Sequence, residues 1–287
     1  MNKIAAFIRV MRPVNCAMMG FAVIVGMTLA NSKVLEASII SLFYGFFTGF
    51  FLTASAMIVN DYYDREIDAI NEPSRPIPSG AVKPKEALIF ASILTMLGFA
   101  SAFLTCTATA IQCFTAALIF WLISTIYVTI GKRTGLLGNF LVSACVSAPF
   151  IYGSVALVGS VELKIWIFVS MVFLSNTGRE ITKGIVDVKG DKARNVKTLA
   201  VRYGESKAAA AAAAFYLFAV MLTPLPPMLN LVSVWFVPFV LITDVGLVAA
   251  SITLLRDCSR ENARKVKKQV LAWFLVGLIA FIAGSIK

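Results

Sequence analysis

Residues 37–59 read ASIISLFYGFFTGFFLTASAMIV, and the next nine, 60–68, read NDYYDREID. The first stretch carries no charged residue over 23 positions. As a helix it is long enough to cross a hydrocarbon layer about 30 Å thick. The second stretch packs Asp61, Asp64, Glu66 and Asp68 around one base, Arg65. A membrane-length apolar segment that ends abruptly in acids is the unit from which the rest of the chain is read.

Working outward, the apolar pattern recurs at 14–31, 86–105, 108–130, 136–158, 162–182, 207–226, 231–255 and 268–286, which gives nine expected spans. The seventh opens on an alanine run and ends at Pro224, Pro226 and Pro227, which fit a loop at the membrane surface. Only 14% of the 287 residues are charged and 59% are hydrophobic, with mean hydropathy +0.84. A soluble domain carries about 25% charged residues. The expected fold is therefore all-α, a single polytopic transmembrane domain over 1–287 with no separate soluble domain. The first apolar stretch follows Lys3, Arg9 and Arg12 as a signal peptide would, but it is too long for one and is read as a retained helix.

The net charge of +11 does not point to nucleic acid, because the bases sit in short loops between apolar segments. With a cytoplasmic N-terminus, 23 of the 26 Lys and Arg fall on that side, leaving Lys33, Lys164 and Lys287 outside. That asymmetry predicts a multi-pass cell-membrane protein with its N-terminus and acidic loops in the cytoplasm. There is no histidine, which removes the usual zinc ligand and the usual base near neutral pH. Cys16, Cys106, Cys113, Cys145 and Cys258 are scattered without metal or disulfide spacing.

Eight of the fifteen acids lie in two short stretches on the expected cytoplasmic side. Asp61, Asp64, Glu66, Asp68 and Glu72 follow span two, and Glu180, Asp187 and Asp191 close span six. Asp61, Asp64 and Asp68 recur at i, i+3 and i+7, so a continuing helix puts them on one face. Asp187 and Asp191 are i, i+4, with Glu180 seven residues earlier on the same stripe. Like charges so spaced repel unless a cation lies between them. Oxygen-only ligation suits a hard ion, and Mg²⁺ typically takes one or two carboxylates with substrate phosphates and water. Bases follow each cluster: Arg75 after the first, and Lys192, Arg194 and Lys197 after the second. Acids for a metal beside bases for oxyanions describe a phosphate or diphosphate site. Since the clusters stand four spans apart, a duplicated four-helix unit would set them face to face. A solvated loop face, an anion transporter and a non-catalytic lipid-binding scaffold are the rival readings. Asp244, midway along span eight, is the one acid placed as a transporter would place it.

Asn60–Asp68 as NDxxDxxxD, Asp187–Asp191 as DxxxD, and the segment Asn71–Gly80 together resemble the UbiA superfamily of intramembrane prenyltransferases, over essentially the whole chain. The resemblance implies nine helices around a central cavity that is polar at the cytoplasmic end and apolar where a prenyl tail lies. It implies Mg²⁺ held by Asn60, Asp61, Asp64, Asp68, Asp187 and Asp191, with Asp64, Asp68, Asp187 and Asp191 as the catalytic set. It makes Arg65 and Lys192 candidates for diphosphate contacts. Many members carry Tyr-x-x-x-Lys after span four. Here Tyr127 and Lys132 are five apart, so Gly131 would have to end the helix for Lys132 to swing back to the diphosphate. Tyr127 reads equally as an interfacial aromatic anchor.

Within the superfamily, residues 179–199 are most similar to members that act in archaeal ether-lipid synthesis. That implies geranylgeranyl diphosphate as donor and geranylgeranylglyceryl phosphate as acceptor, among membrane lipids. Aromatic or chlorophyllide acceptors are the alternative. A phosphorylated acceptor needs cations of its own, and the candidates are Lys183, Lys189, Arg194 and Lys197, with Glu180 beside them. The attacking hydroxyl's proton can go to Glu180, to Asp61 or to the released diphosphate, and the sequence does not choose among them.

Overall fold

In the computed structural model, which describes residues 2–32, 39–193 and 196–286, the chain is helical throughout and no strand occurs among the described residues. Two proline breaks organise its start. Helix α1 (Lys3–Met11) stops where Pro13 follows Arg12, and Arg12 takes a left-handed conformation, φ 56°. A residue before proline is kept out of the α region, so the chain turns here and restarts as α2 (Pro13–Ala30). Helix α3 (Ile39–Asn71) then runs unbroken for 33 residues. It carries span two from Ile39 onward and, beyond it, Asp61, Asp64, Glu66 and Asp68 on one rod; Glu72 falls just past its end.

The remaining long helices are α4 (Pro84–Leu104), α5 (Ala110–Thr129), α6 (Leu136–Val158), α7 (Leu163–Val186), α10 (Glu205–Leu222), α12 (Phe236–Arg256) and α13 (Arg260–Ser285). Short helices α8 (Val188–Ala193), α9 (Leu199–Tyr203) and α11 (Leu225–Met228) fill the connections. Among the described residues, eight helices are long and apolar enough to cross a membrane. The expected sixth span, 162–182, coincides with α7. That helix is long enough, but Asn176, Arg179 and Glu180 make its C-terminal half too polar to qualify.

The outer surface is the apolar one. Met96, Ile111, Leu163 and Val245 are each at least 69% exposed, as expected where lipid and not water is the solvent. Inside, small residues let backbones meet. A Cβ on Gly153 of α6 would lie 2.5 Å from the Met27 backbone nitrogen and 2.6 Å from the Gly26 carbonyl carbon, so α2 and α6 cross with main chains in contact. Pro149 lies one turn before that crossing, inside α6.

Candidate active site

The helices enclose a cavity of about 360 Å³. Along α3 its lining runs from Asn60 through Met57, Ala56, Thr53, Leu52 and Gly49 to Thr48, a path of about 18 Å at 1.5 Å per residue. At the Asn60 end the walls carry Arg12, Asn15, Arg75, Arg179, Glu180, Lys183 and Lys267. Toward Thr48 they are apolar: Val23, Ala117, Phe120, Trp121, Val146 and Pro149. The Tyr152 hydroxyl stands at that deep end, 2.8 Å from Thr105 Oγ1 and 3.4 Å from Thr48 Oγ1. The chamber fits an amphiphile with a highly charged head.

Because α3 continues to Asn71, Asp61, Asp64 and Asp68 share one buried face, while Tyr63 and Glu66 fall outside it. Each of the three meets a cation. Arg12 Nη2 donates to Asp61 Oδ1 at 2.5 Å, an approach made possible by the turn at Arg12–Pro13. Arg75 Nη1 donates to Asp68 Oδ2 at 2.5 Å and lies 3.6 Å from Asp61 Oδ1. Lys132 Nζ pairs with Asp64 Oδ2, which also accepts from Asn60 Nδ2 at 2.9 Å. Gly131 does end the helix: α5 stops at Thr129 and a 3₁₀ turn over Gly131–Thr134 carries Lys132 back to Asn60 and Asp64. Arg75 sits in the loop after α3, and although burial works against its charge, Asp68 and Asp61 hold it firmly protonated.

The second acidic cluster departs from the expected continuous stripe. Helix α7 ends at Val186, and Asp187 adopts φ −99°, ψ 6°, as short side chains that compete for backbone hydrogen bonds often do at helix ends. Arg260 Nε satisfies the freed Val186 carbonyl at 2.9 Å. The Asp191 amide still donates to the Asp187 carbonyl at 3.0 Å, so the two acids stay together at the α7–α8 joint. Burial, then repulsion from Asp187, pushes the Asp191 carboxyl up to about 6. Lys132 pairs with Asp64 and also acts electrostatically on Asp191, and α3 and α8 touch, so the two clusters lie near each other. Glu180 separates from them and lies buried at the cavity wall, held by Arg179 at 3.1 Å and Lys183 at 3.2 Å.

Other expected residues lie elsewhere. Arg65 does not line the cavity: its guanidinium donates to the Tyr62 carbonyl at 2.8 Å and stacks 4.6 Å over the Tyr62 ring. Lys189 and Lys192 are exposed, because α8 turns Val188 and Gly190 inward and these lysines outward. Arg194 falls outside the described residues. Tyr127 is a cavity-wall residue and not an interfacial anchor. Asp244 is remote from the lining and accepts from Thr223 Oγ1 at 2.7 Å, a polar link between α10 and α12. Reading the sequence missed Arg12, Arg179 and Lys267 as site residues.

The donor set suits Mg²⁺. Among the described residues no three acidic or thiol side chains converge closely enough to hold a metal unaided. Mg²⁺ does not require that, since one or two carboxylates can be completed by substrate phosphate oxygens. The pairs Asp64/Asp68 and Asp187/Asp191 offer that minimum, and oxygen donors of this kind suit a hard ion.

Fold and site define a class: a polytopic helical membrane protein whose central chamber is apolar along most of its length and charged at one end. The chain belongs to the UbiA prenyltransferase family, whose pattern matches residues 19–283. It is 33% identical over 287 residues to the digeranylgeranylglyceryl phosphate synthase of Methanocaldococcus jannaschii, covering 100% of this chain and 98% of that one. It is 35% identical to the Archaeoglobus fulgidus protein of the same name over 93% and 91% of the two chains. A solved digeranylgeranylglyceryl phosphate synthase superposes with TM-score 0.75 at 32% identity over 100% and 99% of the chains. A UbiA homologue from Archaeoglobus fulgidus bound to GPP and Mg²⁺ shares the fold at TM-score 0.64 and 17% identity, over 96% of this chain and 99% of its own.

Proposed function

We propose that the protein transfers a geranylgeranyl group from geranylgeranyl diphosphate to geranylgeranylglyceryl phosphate, giving digeranylgeranylglyceryl phosphate. The observation that carries the chemistry is the polarity of one cavity: cations and Glu180 at the Asn60 end, with Arg12 and Arg75 of that wall paired to Asp61 and Asp68 of α3, and hydrocarbon walls toward Thr48. The full-length likeness to digeranylgeranylglyceryl phosphate synthases supports the acceptor.

In this reading Asp64, Asp68, Asp187 and Asp191, with Asn60 and Asp61, would hold Mg²⁺ at the donor site. Bound there, the metal supplies neutralisation of charge on the departing diphosphate. Arg75 and Lys132 orient the same oxyanion, while Trp121 and Phe120 keep water from the allylic carbon. The allylic C–O bond breaks with its electron pair leaving on diphosphate. The acceptor's free glycerol hydroxyl then forms the new C–O bond and loses its proton. Asp61 and Glu180 each already engage two cations, so the released diphosphate is the base of choice. We take α7 as a ninth crossing, residues 1–287 as one domain, and the basic loops as cytoplasmic.

The test incubates purified protein with labelled geranylgeranyl diphosphate, Mg²⁺ and four separate acceptors: geranylgeranylglyceryl phosphate, 4-hydroxybenzoate, a naphthoate and a chlorophyllide. Product with the first alone is expected. Product only with an aromatic acid or a chlorophyllide would overturn the acceptor and leave the family assignment standing.

A further inference from the structure

Two groups of cations stand at or beside the polar end of the cavity, and the donor site uses only one of them. Arg12, Arg75 and Lys132 are each committed to an aspartate of α3. The second group comes from other helices: Arg179 and Lys183, one turn apart on α7, and Lys267 on α13. All three line the cavity.

Their charge is not balanced. Among the described residues Glu180 is the single carboxylate in contact with them, shared by Arg179 and Lys183. Lys267 forms no ion pair among the described residues; Asp187 acts on it only from beyond contact range. Arg179 Nε is buried without a hydrogen-bond partner. A cation wall with an orphaned donor is costly unless an anion completes it. A phosphate monoester, with close to two negative charges and three acceptor oxygens, matches two surplus positive charges and an open guanidinium edge.

The tail of such a ligand is also provided for. Lys267, Leu271 and Phe274 are spaced i, i+4 and i+7 on α13 and all face the cavity, so a cation at one end is followed by apolar side chains along one stripe.

Building on the acceptor proposed above, we propose that Arg179, Lys183 and Lys267 seat the phosphate of the acceptor lipid, whose prenyl chain runs along Leu271 and Phe274. The donor diphosphate keeps Arg75, Lys132 and the aspartates. Acceptor recognition is thereby separated from donor recognition within one chamber.

The test measures steady-state kinetics of purified protein with geranylgeranyl diphosphate and either geranylgeranylglyceryl phosphate or its phosphate-free alcohol. Lys267→Gln is expected to raise KM for the phosphorylated acceptor about tenfold or more. KM for the donor should stay within about twofold, and the preference for phosphorylated acceptor should shrink by the acceptor factor. Lys267→Arg should restore most of the loss, and Lys183→Gln should repeat the effect from a second position. Donor binding by each variant, measured separately, establishes that it is folded. A rise in donor KM with acceptor KM unchanged would assign these cations to the diphosphate and overturn the proposal, as would no change in either. If the wild type gives no product with geranylgeranylglyceryl phosphate, the acceptor assignment itself falls and takes this seat with it.

Discussion

Arg75 Nη1 lies 2.5 Å from Asp68 Oδ2 and 3.6 Å from Asp61 Oδ1, so one guanidinium spans two turns of α3 from the loop that follows it. The loop is built for this. Val82 donates back to the Pro76 carbonyl at 3.0 Å, Ile77 is buried, and Gly80 supplies the positive φ of 75° that closes the turn. A lysine has one point charge and cannot address two carboxylates and a substrate oxyanion together. Arg75→Lys is therefore expected to lower kcat/KM for the donor roughly tenfold, and Arg75→Ala roughly a hundredfold. Donor titrations against each variant check this, and unchanged kinetics in Arg75→Ala would remove Arg75 from the site.

Asp64 belongs to the first cluster and Asp187 to the second, and Lys132, paired with Asp64, also acts electrostatically on Asp191 beside Asp187. If a metal joins both clusters to the diphosphate, Asp64→Asn and Asp187→Asn should each reduce turnover about a hundredfold or more, as loss of a charge-stabilising group does elsewhere. Chelation of divalent metal should abolish turnover, and Mg²⁺ or Mn²⁺ should restore it. Full activity in chelator would defeat the metal reading whatever the variants do.

The first cluster was legible in the sequence because its logic is local: i, i+3, i+7 on a helix that continues defines a face. The second was legible as a motif but not in its shape, since Asp187 ends α7 and sends Glu180 to a different wall. Arg12 was hidden because its partner Asp61 lies 49 residues away, reached only through the turn that Pro13 forces. Lys267 was hidden among like residues. Lys265 and Lys268 are exposed beside it, and all three serve the same positive-inside count. Only helical phase distinguishes Lys267, because it shares a stripe with Leu271 and Phe274. The polarity that weakens α7 as an apolar span has the same origin: Asn176, Arg179 and Glu180 all line the cavity.

Gly153 and Gly277 make a contrast that tests the helix packing. A Cβ at Gly153 meets backbone atoms of Val23, Gly26 and Met27, which cannot rotate away. A Cβ at Gly277 meets only Thr243 side-chain atoms, at ordinary contact distances of 3.6 and 3.7 Å. Gly153→Val should therefore cost about 3 kcal/mol or more and sharply lower the yield of monodisperse protein in detergent. Gly277→Ala should be neutral or slightly stabilising, since alanine is the better helix former. Equal thermal stability of the two variants would contradict the observed α2–α6 crossing.

Tyr152 closes the cavity about 18 Å from Asn60, where its hydroxyl meets Thr105 and Thr48. If the donor's tail runs from the aspartates toward Thr48, this ring sets how long the tail can be. Tyr152→Ala opens that end, and the relative kcat/KM for a donor one isoprene unit longer should rise about tenfold or more, because terminal carbons gain room they previously lacked. Tyr152→Phe keeps the ring and should keep the chain-length preference, losing only the hydroxyl contacts. Measuring both variants with C15, C20 and C25 donors separates size from hydrogen bonding. An unchanged preference in Tyr152→Ala would show that the tail does not reach this residue and lies against another wall.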